Sequence, residues 1–260
     1  MIKGFCFTSD ERYYRMGQWC KNSFEATNPY EMVLINLEDH KDSRFYKWHY
    51  DTKEHPLRVQ NPFGMLKFIA ALEVMETQDL DRLIMLGADV FTVGTFDGIE
   101  NMDYELLHSK DLGAAPSMPL NPDVIVVTKS FLNKAVEIYL QQMEALTLDH
   151  HIHLYQEMYL MNHLVTIGEV TNASLANLFS VDEYCFNKNV RTGVTFSYDN
   201  GKVLYGSQEV RTIHIQTGLR GDKEAVDATL FNCIRTAAAF SNQEVRNYLT
   251  QITKDNNIWN

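Results

Sequence analysis

RLIMLGADVFTV, residues 82–93, is the stretch on which the fold turns. Four consecutive apolar side chains, Leu83 to Leu86, read as a strand buried on both faces, and Gly87-Ala88-Asp89 breaks the run before apolar character resumes at Val90. Strands buried on both faces belong to parallel α/β sheets, where ligands collect just beyond the strands' carboxyl ends. Asp89 stands at such an end. A carboxylate there can hold a divalent cation that bridges two phosphates; the plainer reading is a loop aspartate behind a glycine turn.

Outward from this stretch the pattern alternates. Residues 3–8 predict a strand, 11–26 a helix, 32–36 a strand, 63–76 a helix and 82–86 a strand, which makes a βαβαβ unit and a mostly parallel sheet. Farther on, DVIVVT (123–128) predicts a buried strand. Residues 129–146 carry Leu132, Val136, Tyr139, Leu140 and Met143 at helical spacing. Residues 193–198 and 203–205 predict a hairpin turning at Asp199-Asn200-Gly201. A final helix is expected after Ser241, whose spacing to Glu244 matches a capping box. With no repeat, linker or low-complexity tract, one domain over residues 1–260 is expected, its C-terminal helical segment at about 224–260.

Charge and cysteine usage narrow the function classes. The net charge of −11 comes from residues 61–180, with sixteen acidic against five basic side chains. An extended duplex-binding face is disfavoured, because phosphate neutralisation needs clustered Lys and Arg. Cys6, Cys20, Cys185 and Cys233 are far apart and predict reduced core residues. No apolar run reaches roughly eighteen residues, so a soluble, cytoplasmic protein without a membrane partner is expected, in host cytoplasm if the source is viral.

Two other strand ends carry chemistry. Thr8-Ser9-Asp10 follows the first strand and suits either a nucleotide's base and ribose or the N-cap of the next helix. His214-Ile-Gln-Thr-Gly218-Leu-Arg220-Gly221-Asp222-Lys223 offers an imidazole, two glycines and two cations for a metal ligand, a close backbone approach and phosphate contacts, or is a solvated turn. Asp149-His150-His151-Ile-His153 suits an acceptor-site or surface role ahead of metal binding, since only His151 and His153 share a strand face. The aromatic stretch 45–50 suits packing or stacking on a sugar or base.

In order, these segments resemble the glycogenin and galactosyltransferase-like (family eight) retaining glycosyltransferases of the GT-A fold. TSDERYY (8–14), with Asp10 and Tyr13, resembles the family's opening motif. PFGMLKFIAALE followed by DRLIMLGADVFTVG resembles its helix cation and D-x-D strand, with Lys67 as the cation, Asp89 as the second Asp and Gly87 in place of the first. LNPDVIVVTKSF with Asn121, YQEMYLMN with Gln156 and Asn162 (Tyr155 replacing Asp), LFSVDEYCFN ending in Asn187, and His214, Gly218 and Lys223 resemble later segments.

The resemblance implies a Rossmann-like GT-A sheet flanked by helices and transfer of a sugar from a nucleotide-sugar donor, a UDP-sugar, to a hydroxyl. It implies Mn²⁺ or Mg²⁺ on Asp89 and His214, and donor contacts from Thr8, Ser9, Asp10, Tyr13, Lys67, Gly87, Ala88, Asn121, Gly218, Arg220 and Lys223. Asp89, Gln156 and Glu157 are the expected catalytic groups, Glu157 accepting a hydroxyl proton, contacting the sugar, or lying solvated on its helix. The acceptor is left open among a glycan, a protein, a small molecule and a hydroxymethylated pyrimidine of viral DNA, and a homo-oligomer is possible. A sugar nucleotidyltransferase and a decayed sugar-nucleotide-binding module are the alternatives.

Overall fold

The computed structural model describes residues 1–9, 11–59, 62–110, 118–145, 156–190, 194–215 and 238–259. The first half contains β1 (Ile2–Thr8), α1 (Glu11–Thr27), β2 (Met32–Asn36), α2 (Arg44–Thr52), α3 (Leu66–Gln78) and β3 (Arg82–Leu86); all but α2 fall where apolar periodicity predicts a strand or helix, and α2 is an additional helix between β2 and α3. The aromatic stretch 45–50 lies in α2, capped by the Ser43 side chain accepting from the Tyr46 N–H. There Phe45 is buried in the core, and the largely exposed Tyr50 donates to Glu38.

Beyond β3 the chain forms β4 (Val90–Thr92), β5 (Leu106–Lys110), β6 (Leu120–Thr128), α4 (Lys129–Glu144), α5 (Gln156–Thr166), β7 (Asn172–Ser174) and α6 (Leu175–Leu178). Then come β8 (Asn187–Asn189), β9 (Ser197–Asp199), β10 (Lys202–Tyr205), β11 (Gln208–Glu209), β12 (Thr212–His214) and α7 (Gln243–Thr253). The hairpin turns at Asn200-Gly201, both with positive φ (49° and 82°), the backbone that a two-residue primed turn requires. Asn242, rather than Ser241, caps α7: its side chain accepts from the Glu244 and Val245 N–H groups.

The main sheet has the order β2-β1-β3-β6-β5-β7. β1 pairs in parallel with β2 and β3, whereas β6 is antiparallel to both β3 and β5. Thus β6 alone runs against the rest. Side chains alternate across the sheet: Leu83, Met85, Ile125 and Val127 join the core beneath α3, α4 and α5, and Ile84, Leu86, Val124 and Val126 join the core beneath α1 and α6. A three-stranded sheet, β4-β12-β8, continues from the carboxyl end of β3 and packs with α7 around a further core. Cys6, Cys20 and Cys185 are buried free thiols. Cys233, residues 149–153 and residues 224–237 lie outside the described residues. Among the described residues, no helix is long and apolar enough to cross a membrane.

Phe68 anchors the start of α3, fully buried edge-on to Phe131 of α4 with centroids 6.0 Å apart. Phe68→Ala is expected to cost about 3–5 kcal/mol of unfolding free energy, the range for emptying an aromatic core site, read from the urea midpoint.

Candidate active site at the carboxyl edge of the sheet

β3 ends at Leu86 opposite Val124 of β6, and the Gly87 N–H donates to the Asp123 carbonyl at 2.8 Å. The Val90 N–H then donates to the Gly87 carbonyl at 3.1 Å, closing a tight turn that leaves Asp89 at the sheet's edge. β12 lies antiparallel to β4 with His214 opposite Val90, and the Ile215 N–H donates to the Asp89 carbonyl at 2.9 Å. This ladder carries the buried imidazole to the carboxylate. His214 Nε2 lies 3.3 Å from Asp89 Oδ2 and 3.7 Å from Asp123 Oδ2.

From the helical side, Lys67 in the first turn of α3 reaches the same edge. Its Nζ is 3.1 Å from Asp123 Oδ1 and 3.6 Å from Glu157 Oε1, and the Lys67 and Glu157 side chains are each only 18% exposed. A continuous chain of contacts therefore joins Asp89, His214, Asp123, Lys67 and Glu157.

Their environments push the acids apart. Burial raises the Asp123 pKa, but the Lys67 ammonium and then His214 outweigh it and hold the group below its ordinary value. For Glu157 burial wins over the adjacent Lys67, and its pKa lies above the ordinary carboxylate value. Burial works against the Lys67 ammonium, yet Asp123 and Glu157 together raise its pKa. Glu157 Oε2 is buried with no hydrogen-bond partner among the described residues. Two neighbouring carboxylates with opposite shifts suit one permanent anion and one proton acceptor.

The residues singled out in the sequence divide into groups. Asp89, Gly87, Lys67, Glu157 and His214 converge. Asn121 is buried beside them and its Oδ1 accepts from the Asp123 N–H at 2.7 Å, fixing the start of β6. Tyr13 and Ala88 pack together with the core around β12, and Ser9 is half-buried at the end of β1. The buried Thr8 hydroxyl donates to the Ile35 carbonyl at 3.3 Å, tying β1 to β2.

Gln156, expected as a catalytic group, makes its hydrogen bonds to the interior. It is buried, donates to the Leu57 carbonyl, and with Oε1 accepts from the Met65 N–H at 3.3 Å and the Tyr139 hydroxyl at 3.2 Å. Its amide holds the entry to α3, one step behind Lys67. Asp10, Tyr155, Gly218, Arg220 and Lys223 lie outside the described residues.

Asp123 is the site residue that sequence reasoning passed over. The sequence shows an Asp after Pro122 at the head of an apolar run, but only strand ends were candidates for a parallel sheet. Because β6 is reversed, its beginning lies at the edge where β3 ends.

Two carboxylates and an imidazole are chemically suited to Mn²⁺ or Mg²⁺. Among the described residues, no three His, Cys, Asp or Glu side chains form a ready-made ion cage. An ion of this kind that keeps phosphate and water ligands needs only one or two protein carboxylates.

Removing the cation should expose the cost of this cluster. Lys67→Met is expected to lose about 3 kcal/mol of stability at pH 8, as when one partner of a buried ion pair is deleted. Asp123 and Glu157, raised in pKa without their partner, regain stability on protonation, so the deficit should shrink at pH 5 in urea denaturation.

No protein-family model matches the sequence, and no curated protein matches it. In structure, the galactosyltransferase LgtC in complex with donor and acceptor sugar analogs aligns with a TM-score of 0.50 over 96% of this chain and 95% of its own, at 13% identity. A glycosyltransferase involved in glycosylation of the major capsid of PBCV-1 aligns at 0.48 over 88% of this chain and 98% of its own, at 12% identity. The apo form of mouse xyloside xylosyltransferase 1 aligns at 0.48 over 84% and 98%, at 9% identity. The LgtC alignment spans nearly all of both chains and, with the central mostly parallel sheet flanked by helices, shows that the protein has the GT-A glycosyltransferase fold.

Proposed function

We propose that this protein is a glycosyltransferase that moves a sugar from a nucleoside-diphosphate sugar, a UDP-sugar, to a hydroxyl acceptor with help from Mn²⁺ or Mg²⁺. The observation that carries the reading is the meeting of Asp89, His214, Lys67 and Glu157 at the carboxyl edge of β3, from four separate elements. A packed core does not need that expense of buried charge.

In this reading Asp89 and His214 hold the ion, which when bound supplies positive charge to the departing diphosphate. Lys67, pinned between Asp123 and Glu157, adds a second positive charge at the same edge, and Arg220 and Lys223 add further contacts. The bond between the sugar's anomeric carbon and the diphosphate oxygen breaks, its electron pair leaving with the diphosphate. The acceptor hydroxyl oxygen bonds to that carbon and Glu157 takes its proton, a role favoured by its raised pKa and by an Oε2 that the described residues leave without a hydrogen bond. Retention of configuration, which the resemblance implies, requires the acceptor hydroxyl to approach the anomeric carbon from the face that the diphosphate leaves.

A panel of UDP- and GDP-sugars with Mn²⁺ tests the reading by thermal shift and by donor hydrolysis. At least one UDP-sugar should stabilise the fold and be turned over; no response to any donor would defeat the proposal. Asp89→Ala is expected to lower turnover by about 10²-fold or more with the far-UV circular dichroism unchanged. Near-normal turnover would place the ion elsewhere. Glu157→Gln is expected to reduce kcat by about 10²–10⁴-fold while the donor-induced thermal shift persists, as for loss of a proton acceptor.

A further inference from the structure

We infer that Asp123 supplies the carboxylate that position 87 lacks, and that position 87 is glycine because it must make room for Asp123. The inference rests on the metal-assisted reading above and adds a ligand to it.

Space is the first part of the argument. A Cβ built on Gly87 would lie 3.1 Å from Asp123 Cβ, 3.2 Å from Asp123 Cγ and 3.0 Å from Asp89 Oδ1. Such contacts are tighter than nearly all real Cβ neighbours, and the Asp123 atoms sit close to a backbone pinned by the Gly87 N–H to Asp123 carbonyl bond. A side chain on β3 and the carboxylate on β6 compete for one space. A side chain at position 87 would have to displace the Asp123 side chain by a few tenths of an ångström, and with glycine there the acid beside Asp89 comes from β6.

Orientation is the second part. Asp123 Oδ1 faces Lys67 at 3.1 Å, while Oδ2 faces His214 Nε2 at 3.7 Å on the side where Asp89 approaches the same nitrogen. The carboxylate that neutralises Lys67 thus also places its second oxygen beside the Asp89–His214 pair. The Asn121 side chain, accepting the Asp123 N–H at 2.7 Å, and the ring of Pro122 stiffen the backbone that holds this pose. The two oxygens thus link the cationic half of the site to its metal-binding half.

Mn²⁺ binding in the presence of UDP, followed by the electron paramagnetic resonance signal of free Mn²⁺, tests this without turnover. Asp123→Asn keeps a carbonyl that can accept from Lys67, so the pocket's shape survives and the charge toward His214 is lost. It is expected to weaken Mn²⁺ binding by about tenfold or more, since affinity follows the number of charged ligands. Gly87→Asp alone is expected to be impaired through crowding, and the paired change G87D/D123G, which moves the acid from β6 to β3, should recover affinity to within a few-fold of the starting protein. Unchanged affinity in Asp123→Asn would overturn the inference while leaving the metal reading intact, and so would a paired variant that folds but binds no better than Asp123→Asn. A starting protein that binds no Mn²⁺ in the presence of UDP would overturn the metal reading, and the inference with it.

Discussion

The antiparallel pairing of β6 with β3 is the constraint on which the rest of the site depends. In a wholly parallel sheet only the last residues of strands reach the ligand edge. One reversed strand changes that rule locally, because its opening residues lie at the edge where its neighbours close. Leu86 faces Val124, so the residue before Val124 on β6 and the residue after Leu86 on β3 share one location. That location holds Gly87 and Asp123.

What collects there is a line of three carboxylates, an imidazole and a lysine in a partly dry setting. Lys67 is stabilised by two carboxylates and in turn lowers the Asp123 pKa, while burial raises the Glu157 pKa above its ordinary value. Deleting any member leaves a neighbour without compensation, which is why buried ion networks are costly to build and to disturb. The surrounding structure carries that cost through ordinary packing and hydrogen bonds: Phe68 against Phe131, the Gln156 amide at the head of α3, and the β12–β4 ladder that delivers His214. Holding five titratable groups together at a strand edge suits the sugar transfer proposed above, in which charge on a departing diphosphate must be stabilised.

Gln156 and Glu157 show how narrow the margin is between support and chemistry. They are adjacent at the start of α5, and a rotation of about 100° per residue sends them to different places. Gln156 turns inward and ties Leu57, Met65 and Tyr139 together, whereas Glu157 turns to Lys67. Chemistry written in residue types cannot separate them, since an amide and a carboxylate are equally plausible beside a sugar. Helical phase separates them.

By itself the sequence determined the alternating strands and helices of the first half, the buried character of residues 82–86, the turn at Asn200-Gly201, and Asp89, Lys67, Glu157 and His214 as candidates. Lys67 and Glu157 rest on the family resemblance; the others rest on local periodicity, backbone preference or chemical type, which neighbouring residues already express. Tertiary structure alone decided that β6 runs backwards, that Asn242 caps α7 in place of Ser241, that Gln156 is spent in the interior, and that Asp123 stands beside Gly87. Strand direction depends on long-range pairing between segments that are far apart in the chain, and DVIVVT reads the same whichever way its partner runs. The proximity of Asp123 to Gly87 is therefore invisible along the chain and plain across the sheet.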